Sequence, residues 1–403
     1  VCQTRHLNGL AEQSTVFHNA YTVCAVCSPA RASLQTGLYP HAHGVEANIY
    51  GRGCRIHELP DGESLLSRRL QQAGYSVGYT GKWHLGEGGA AVMKKHSGLR
   101  ASMAPEYSGL PTDVGYEGDD FPGHGAGGYQ YPQFKEYLAS NQLNFDVADR
   151  NNYGGHGGHT TTGEIVSPTE STNEHFLVNQ AIQYIDQFRL RDQPFCLQLH
   201  FWGPHEPFYA PTQFLDLYRT TEIPPWPNFD ENRTLKPSFH DVFRRPDEPW
   251  SFWENSLRHY YGFVTSIDAQ IGRLLEHLKQ HSLYDNTTII FSSDHGDSQG
   301  CHGGIENKSY HMYEETVRIP LFIKSAQPNS ERSDVTAFVN TCDIYASILD
   351  NAGLPTELAE AAHGRSLLPF LRGERPEGWR NFVVCQGLSA TSTLCTHRMI
   401  RKG

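Results

Sequence analysis

The stretch from residue 27 to residue 37 holds the residue types best suited to chemistry, with Cys27, Pro29 and Arg31 at alternate positions. Ser28 can cap a helix and Pro29 suits a first helical turn, so Cys27 is predicted to lie just before a helix N-terminus. Backbone N–H groups at such an end favour anions. Arg31 comes one turn later, and its planar guanidinium suits a tetrahedral anion or an ionised nucleophile. The stretch is therefore predicted to bind an oxyanion.

The order Cys27-Ser28-Pro29-Ala30-Arg31 resembles the C-x-P-x-R signature of the type I sulfatases, which belong to the alkaline-phosphatase-like superfamily. In that family the cysteine is oxidised to formylglycine, whose hydrated aldehyde attacks the sulfur of a sulfate ester. The resemblance implies that Cys27 is the modified residue and that a formylglycine-generating enzyme acts on the chain during maturation. Taken alone, the stretch also fits a buried cysteine ahead of an ordinary capped helix.

A second block follows a predicted strand. Residues 75–80 alternate as a strand, and Lys82 and His84 come directly after it. Ligands in open α/β sheets gather beyond the carboxyl ends of strands, so both side chains are placed where chemistry is expected. The resemblance implies that Lys82 binds sulfate and that His84 holds or deprotonates the aldehyde hydrate. Without the first block, both would be read as surface residues.

A third block comes after the apolar run 195–201, which reads as a buried strand. Gly203-Pro204-His205-Glu206-Pro207-Phe208 resembles the P-H-x-P-F block of the sulfatases. The resemblance implies that His205 faces the sulfate and gives a proton to the leaving alcohol. His200, on the strand itself, is predicted to be a packed core residue.

The last two blocks supply a metal site and a further cation. Asp294 and His295 follow the predicted strand 287–293, and a carboxylate oxygen is the ligand that Ca²⁺ or Mg²⁺ prefers. The resemblance implies that Asp294, His295 and the modified Cys27 surround the metal. It also implies that Lys308 contacts the sulfate or stabilises the leaving oxygen.

The chain departs from the family at the metal site. Sulfatases carry two adjacent aspartates on an earlier strand, and no Asp precedes Asp61 here. The chain is therefore expected to lack its first strand and to bind Ca²⁺ weakly, and an upstream strand with two aspartates is expected to restore hydrolysis. A catalytically degenerate anion-binding relative is the rival interpretation.

The five ordered blocks cover nearly the whole chain, and the resemblance implies an α/β fold with a mixed, mostly parallel sheet sandwiched by helices. Its catalytic domain is predicted to span residues 1–375, and 376–403 are predicted to begin a small C-terminal α+β subdomain. Helical spacing of apolar residues predicts helices over 173–189, 253–280 and 342–351. Residues 87–170 are rich in Gly and His and are predicted to be long loops.

The amino-acid composition argues against some classes of function for this chain. A formal charge of −11 over 403 residues argues against general nucleic-acid binding, and no apolar run approaches a membrane span. Cys24 and Cys27 also fit a C-x-x-C redox pair, which the neighbouring Pro29 and Arg31 disfavour. The predicted activity is hydrolysis of sulfate monoesters, on a sulfated carbohydrate or small molecule, in the periplasm or outside the cell as the family implies. A phosphonate monoester or phosphodiester hydrolase with the same nucleophile is the alternative.

Overall fold

A computed structural model describes residues 2–49, 55–56, 58–86, 109–120, 128–129, 131–152, 161–232, 234–241, 243–308, 311–327, 331–354, 362–390 and 394–403. The helices of this part of the chain are α1 (Arg5–Ala11), α2 (Cys27–Thr36), α3 (Pro40–His43), α4 (Leu66–Gln72), α5 (Pro132–Ser140), α6 (Asn173–Phe188), α7 (Thr212–Leu215), α8 (Trp250–Gln280), α9 (Cys301–Gly304), α10 (Glu314–Val317), α11 (Thr341–Asn351) and α12 (Leu368–Leu371). Its strands are β1 (Thr15–Tyr21), β2 (Ser76–Gly81), β3 (Glu117–Gly118), β4 (Val147–Asn152), β5 (Thr161–Ile165), β6 (Phe195–His200), β7 (Phe208–Pro211), β8 (Ile289–Ser292), β9 (Leu321–Lys324), β10 (Ser333–Asn340), β11 (Phe382–Ala390) and β12 (Leu394–Lys402).

Two sheets carry the centre of the molecule. A four-stranded sheet has the order β10-β1-β9-β8, in which β1 is parallel to β10 and antiparallel to β9. A three-stranded sheet has the order β3-β2-β6, and its strands are all parallel. A third sheet, β4-β5-β7, and the antiparallel hairpin β11-β12 lie outside these two.

Helices pack on both faces of the parallel sheet because alternate side chains of its strands point to opposite sides. Cys196 of β6 joins a core cluster with α2, α4 and α11, whereas Phe195 and Leu197 join a second cluster with α1, α6 and α8. The second cluster also includes Phe291 of β8 and Phe322 of β9, so it spans the two sheets. The predicted α/β class with mixed and parallel sheets between helices is confirmed.

The two sheets each end on a strand with an open edge. β6 pairs only with β2 and β8 pairs only with β9 among the residues that the structure describes. Every residue of β6 and β8 is half-buried although the strands are apolar, whereas all of β2 is buried. Unpaired backbone N–H and C=O groups along such edges are able to accept a further strand.

The predicted helices at 173–189, 253–280 and 342–351 are present as α6, α8 and α11. Helix α1 was not predicted, because Leu7 and Leu10 are its only large apolar residues and its first N–H groups depend on a distant partner. Asp268 accepts hydrogen bonds from the N–H groups of His6 and Leu7 at 3.0 and 2.7 Å.

The prediction of loops over 87–170 is wrong for α5, β4 and β5, which pair or pack with distant elements. The stretches 87–108, 121–127, 130 and 153–160 within that prediction lie outside the described residues.

Near the C-terminal end of the described chain, the hairpin β11-β12 contacts the segment before α2 through the hydrogen bond from the Gln386 N–H to the Val23 carbonyl, at 2.9 Å. The predicted domain division after residue 375 stays a prediction. Among the described helices, none has the length and apolar character needed to cross a membrane.

Candidate active site

Helix α2 begins at Cys27 itself, and extended Val26 precedes it as the N-cap. The prediction that Ser28 caps the helix is wrong, because its buried side chain is used elsewhere. The Ser28 hydroxyl donates to the carbonyl of His84 at 2.7 Å, and its N–H donates to the Asn48 side chain at 2.9 Å. Pro29 lies in the first turn as predicted. Ser28 thus fixes the start of α2 against the segment that follows β2.

Cys27 is fully buried and surrounded by cationic groups. The Lys82 ammonium donates to Cys27 Sγ at 3.5 Å, and His295 Nε2 lies 3.1 Å from the same sulfur. Burial alone raises the pKa of the Cys27 thiol, but the positive charges of Lys82, His295 and Lys308 outweigh it and hold that pKa well below its ordinary value. Cationic groups that favour the ionised form of this sulfur make the site suited to negative charge.

A glycine turn at the carboxyl end of β2 orients the side chain of Lys82. The Lys82 N–H donates to the carbonyl of His200 at 2.9 Å, which continues the β2–β6 pairing. Gly81 has a φ of +101°, and a Cβ there would lie 1.9 Å from the His200 carbonyl oxygen. Only glycine fits this close approach. The resulting Lys82 ammonium is almost fully buried, and burial lowers its pKa.

Arg31 connects three parts of the site. Its Nε donates to Asp294 Oδ2 at 3.0 Å, and one terminal nitrogen donates to the Lys82 carbonyl at 2.7 Å and lies 3.0 Å from His200 Nδ1. The guanidinium therefore joins α2 to the ends of β2, β6 and β8. These contacts make Arg31 a positioning residue, and its predicted direct contact with an anion stays a prediction.

Two histidines also reach the sulfur of Cys27. His84 has a φ of +58°, which is uncommon for a residue other than glycine. Burial lowers the pKa of His84 to about 4, against an opposing hydrogen bond with Cys27, so the ring is neutral near pH 7. His205 also forms a hydrogen bond with Cys27, and its Nδ1 lies 2.9 Å from the Glu206 carbonyl oxygen and 3.2 Å from Glu206 Oε2. These two contacts with Glu206 hold the imidazole ring of His205 in its orientation.

Asp294 and His295 lie in the turn after β8, and Lys308 approaches from a later loop. Burial raises the pKa of Asp294, but His295 and Arg31 outweigh it and keep the carboxyl ionised. Lys308 is buried, yet Glu206 and Cys27 hold the pKa of its ammonium above the ordinary value. The loop therefore adds a second buried ammonium group beside the sulfur.

A metal site is only partly present among the described residues. The ligand atoms of Cys27, Asp294 and His295 lie within 4.8 Å of one another. They offer one carboxylate, one imidazole and one sulfur, whereas Ca²⁺ takes about six to eight oxygen ligands. This set does not fit calcium by itself, and we derive no catalytic step through a metal.

The structure brings together the whole predicted set: Cys27, Arg31, Lys82, His84, His205, Asp294, His295 and Lys308. Sequence reasoning missed two neighbours. His200 was predicted to be a core residue, but it holds Arg31 and also contacts Gln198 at 3.0 Å. Glu206 holds His205 and faces Lys308. The signal for His200 was its place at the carboxyl end of a strand, next to the predicted ligands. The redox alternative is disfavoured, because Cys24 is fully buried and burial raises the pKa of its thiol to about 12, which is unlike a reactive cysteine.

The parallel sheet lies between helices, and buried Cys27 with its cationic neighbours lies at the carboxyl ends of the strands, an arrangement that fits the alkaline-phosphatase-like fold. The sequence profile of the Sulfatase family matches residues 1–354. The chain belongs to the sulfatase family. The predicted membership of the sulfatase family is thereby confirmed.

Named relatives and solved structures agree with this assignment. The multifunctional alkaline phosphatase superfamily protein PehA of Trinickia caryophylli is 28% identical, over 94% of this chain and 73% of PehA. The uncharacterized sulfatase YidJ of Escherichia coli K12 is also 28% identical, over 91% of this chain and 65% of YidJ. Human N-acetylglucosamine-6-sulfatase is 24% identical, over 96% and 64% of the two chains. The chain thus spans about two thirds of the length of these relatives.

Two solved structures show the same fold. The phosphonate monoester hydrolase of Agrobacterium radiobacter superposes with a TM-score of 0.76 at 21% identity, covering 100% of this chain and 81% of that one. A protein in complex with D-glucosamine-2-N,6-O-disulfate superposes with a TM-score of 0.65 at 20% identity, covering 99% and 82% of the two chains. At these identities the likeness concerns the fold.

Proposed function

We propose that this chain hydrolyses sulfate monoesters with the group at position 27 as the nucleophile. One observation carries the proposal: buried Cys27 begins a helix and is contacted by the Lys82 ammonium and by His295. Buried positive charge is costly unless an anion offsets it. A sulfate ester bound beside position 27 would supply that anion.

The residues around position 27 would have separate roles in such a reaction. Lys82 and Lys308 are placed to offset charge on the sulfuryl oxygens, where preorganised donors lower the barrier. His84 is neutral near pH 7 and is able to accept a proton from the attacking group. His205, held through Nδ1 by Glu206, is the proposed donor of a proton to the leaving alcohol.

Formylglycine at position 27 fits the same surroundings. When Cys27 is converted by a formylglycine-generating enzyme, the hydrated aldehyde supplies one hydroxyl for attack on sulfur and a second that expels sulfate. The cations that keep the thiol ionised would equally favour an ionised hydroxyl on this carbon. A periplasmic or extracellular location is part of this proposal and follows from the family.

We also propose that a further strand lies between β6 and β8 and completes the metal site with two adjacent carboxylates. The open edges of both strands support this, as do their half-buried apolar side chains. Arg31 contacts both His200 at the end of β6 and Asp294 just beyond β8, so the two edges meet at the site.

The strand proposal is tested with calcium. The present chain is expected to bind Ca²⁺ weakly in calorimetry, and a version extended at its N-terminus by a strand ending in Asp-Asp is expected to bind it tightly and to gain activity. The matched control carries Asn-Asn at the same place and gains neither. Tight, stoichiometric Ca²⁺ binding by the present chain would overturn the proposal.

Hydrolysis itself is tested by competing substrates. The extended protein, made in a host with the formylglycine-generating enzyme, is given chromogenic aryl sulfate, phosphonate monoester and phosphodiester in parallel. Higher kcat/KM for the sulfate supports the proposal, and loss in K82A and K308A supports the assigned roles. Preference for the phosphorus esters supports the second candidate, which shares this nucleophile. Activity with none of them, together with tight sulfate binding, would indicate a degenerate anion-binding relative.

We further propose a sulfated carbohydrate as the natural substrate class. Relatives include the N-acetylglucosamine-6-O-sulfatase of Bacteroides thetaiotaomicron, 24% identical, and an ulvan-active sulfatase of Formosa agariphila, 26% identical. A choline-sulfatase of Rhizobium meliloti is 26% identical, so the sulfate ester of a small alcohol is the substrate to compare with sulfated sugars. Release of sulfate from sulfated sugars but not from choline sulfate is the expected result, and the reverse would contradict it.

A further inference from the structure

A second cluster of metal-ligating side chains lies away from the active site, where α6 meets α8. Asp186 lies in the last turn of α6, His277 lies in the last turn of α8, and His281 is the C-cap of α8. Their ligand atoms all lie within 4.8 Å of one another. His277 Nε2 is already 3.2 Å from Asp186 Oδ1, and the two imidazole rings have centroids 4.4 Å apart.

The helices fix the spacing of these three groups. His277 and His281 are four residues apart, so they project from one face of α8 one turn after the other. α6 and α8 pack through the core cluster that contains Ile185, next to Asp186, and Leu278, next to His277. The backbone that carries the ligands is therefore held by buried apolar contacts and does not depend on an ion.

The electrostatic setting favours a cation. Both helices end at this cluster, and the unpaired carbonyl groups of a helix C-terminus carry partial negative charge. Asp186 adds a carboxylate, and Arg189 Nε donates to its Oδ1 at 2.8 Å. Arg189 would share the Asp186 carboxylate with a bound ion, and the two imidazoles add nitrogen ligands.

We propose that Asp186, His277 and His281 form a binding site for a divalent transition metal such as Zn²⁺, separate from the catalytic site. Two imidazoles and one carboxylate are a ligand set that zinc accepts, with water completing the coordination. Ligands of a tetrahedral site with bonds of about 2.0 Å lie roughly 3.3 Å apart. His277 and Asp186 meet this spacing, and exposed His281 reaches it by rotating its side chain. The bound ion joins the C-terminal ends of α6 and α8.

The test must separate this site from position 27, because a thiolate is itself a preferred zinc ligand. Zn²⁺ is titrated calorimetrically into the purified chain and into C27S, H281A and H277Q. The C27S variant is expected to keep one equivalent of bound zinc, and H281A and H277Q in the C27S background are expected to weaken it at least about tenfold, because even outer partners of a ligand change affinity by about 10- to 100-fold. Zinc is also expected to raise the Tm of C27S and not that of the double variants.

The chain offers a matched control. His18 Nε2 lies 2.6 Å from Asp334 Oδ1, and Arg332 contacts the same carboxylate at 3.0 Å, so this pair reproduces His277, Asp186 and Arg189 without a second imidazole. The variant H18A in the C27S background is expected to leave zinc affinity and the Tm shift unchanged. Absence of zinc binding by C27S, or equal losses in H18A and H281A, would overturn the proposal.

Discussion

Arg31 Nε and Asp294 Oδ2 form an ion pair at 3.0 Å that joins helix α2, which begins at Cys27, to the turn after β8. The Arg31 side chain is only 8% exposed and that of Asp294 20%. Because the same guanidinium also contacts the Lys82 carbonyl and His200, the pair holds together the ends of three strands. The geometry of the site therefore depends on one buried carboxylate.

Replacing that carboxylate should destabilise the fold as well as the site. D294N leaves the buried Arg31 without a counter-charge, which costs about 3 kcal/mol for a broken buried pair. Urea unfolding of the D294N chain measures the loss. D297N is the control: within the part of the chain that the structure describes, Asp297 in the same turn accepts hydrogen bonds from Gln299 alone, and its removal should cost less than about 1 kcal/mol. Equal losses for the two variants would contradict the role given to the ion pair.

The unmodified Cys27 thiol should titrate at unusually low pH. In protein from a host without the modifying enzyme, the thiolate absorbance that disappears in C27S should appear at a lower pH than that of an ordinary thiol. K82M removes the nearest ammonium and should move this titration to higher pH. Cys24 provides an internal comparison, since burial raises its pKa to about 12. An unchanged titration in K82M would show that Lys82 does not stabilise negative charge at position 27.

The turn that aims Lys82 should tolerate no side chain. G81A places a Cβ against the His200 carbonyl at a positive φ, so we expect a loss of about 2 kcal/mol or more and displacement of Lys82. G74A is the matched variant, because Gly74 also has a positive φ of +81° but no atom lies within 4 Å of the position that a Cβ would take there. Its expected cost is about 1 kcal/mol from backbone strain alone. Thermal unfolding of both variants tests whether the close approach at Gly81 matters.

His302 should make stability depend on pH near and above neutrality. Its ring lies between Glu231 and Glu315, at 2.9 and 3.0 Å, and although burial lowers its pKa these carboxylates raise it overall. A raised pKa in the folded state gives stability that is complete below the unfolded value of about 6.5 and is lost as pH rises through the folded value. The Tm difference between the parent chain and H302Q should therefore be larger at pH 6 than at pH 9.

For a second histidine, His259, we expect stability to change with pH in the opposite direction. Burial lowers the pKa of His259, whose Nδ1 lies 2.9 Å from the Asn255 carbonyl oxygen. Removing it in H259Q should give a Tm difference that shrinks as pH falls below about 6.5, because the unfolded parent chain then gains a proton on His259 that the buried ring does not accept. A Tm difference for H302Q that grows towards pH 9 would contradict the assignment of the His302 ion pairs.

The candidate site was predictable from the sequence because its blocks resemble those of the sulfatases and several of them follow recognisable strands. Lys82, His205 and Asp294 each come soon after an apolar or alternating run, and the carboxyl ends of neighbouring strands meet at one edge. What remained hidden depends on contacts between distant segments. Ser28 looks like a cap in isolation, and only the fold brings the His84 carbonyl to its hydroxyl.

Dependence on contacts between distant segments also explains why α1, β4 and β5 were not predicted. α1 is short and depends on Asp268 for two of its first N–H groups, and β4 and β5 contain few apolar residues in alternation. Local propensity gives no signal for such elements, because their stability comes from pairing with distant strands or helices. The open edges of β6 and β8 likewise follow from sheet order, which no local pattern encodes.

The most direct measurement is the mass of the peptide containing Cys27. The protein is produced in a host that converts a control sulfatase, and the peptide is analysed by mass spectrometry. The account predicts the mass of an aldehyde or its hydrate at position 27, in place of the thiol. An unmodified thiol, with full conversion of the control, would contradict the proposed nucleophile and favour the degenerate anion-binding relative.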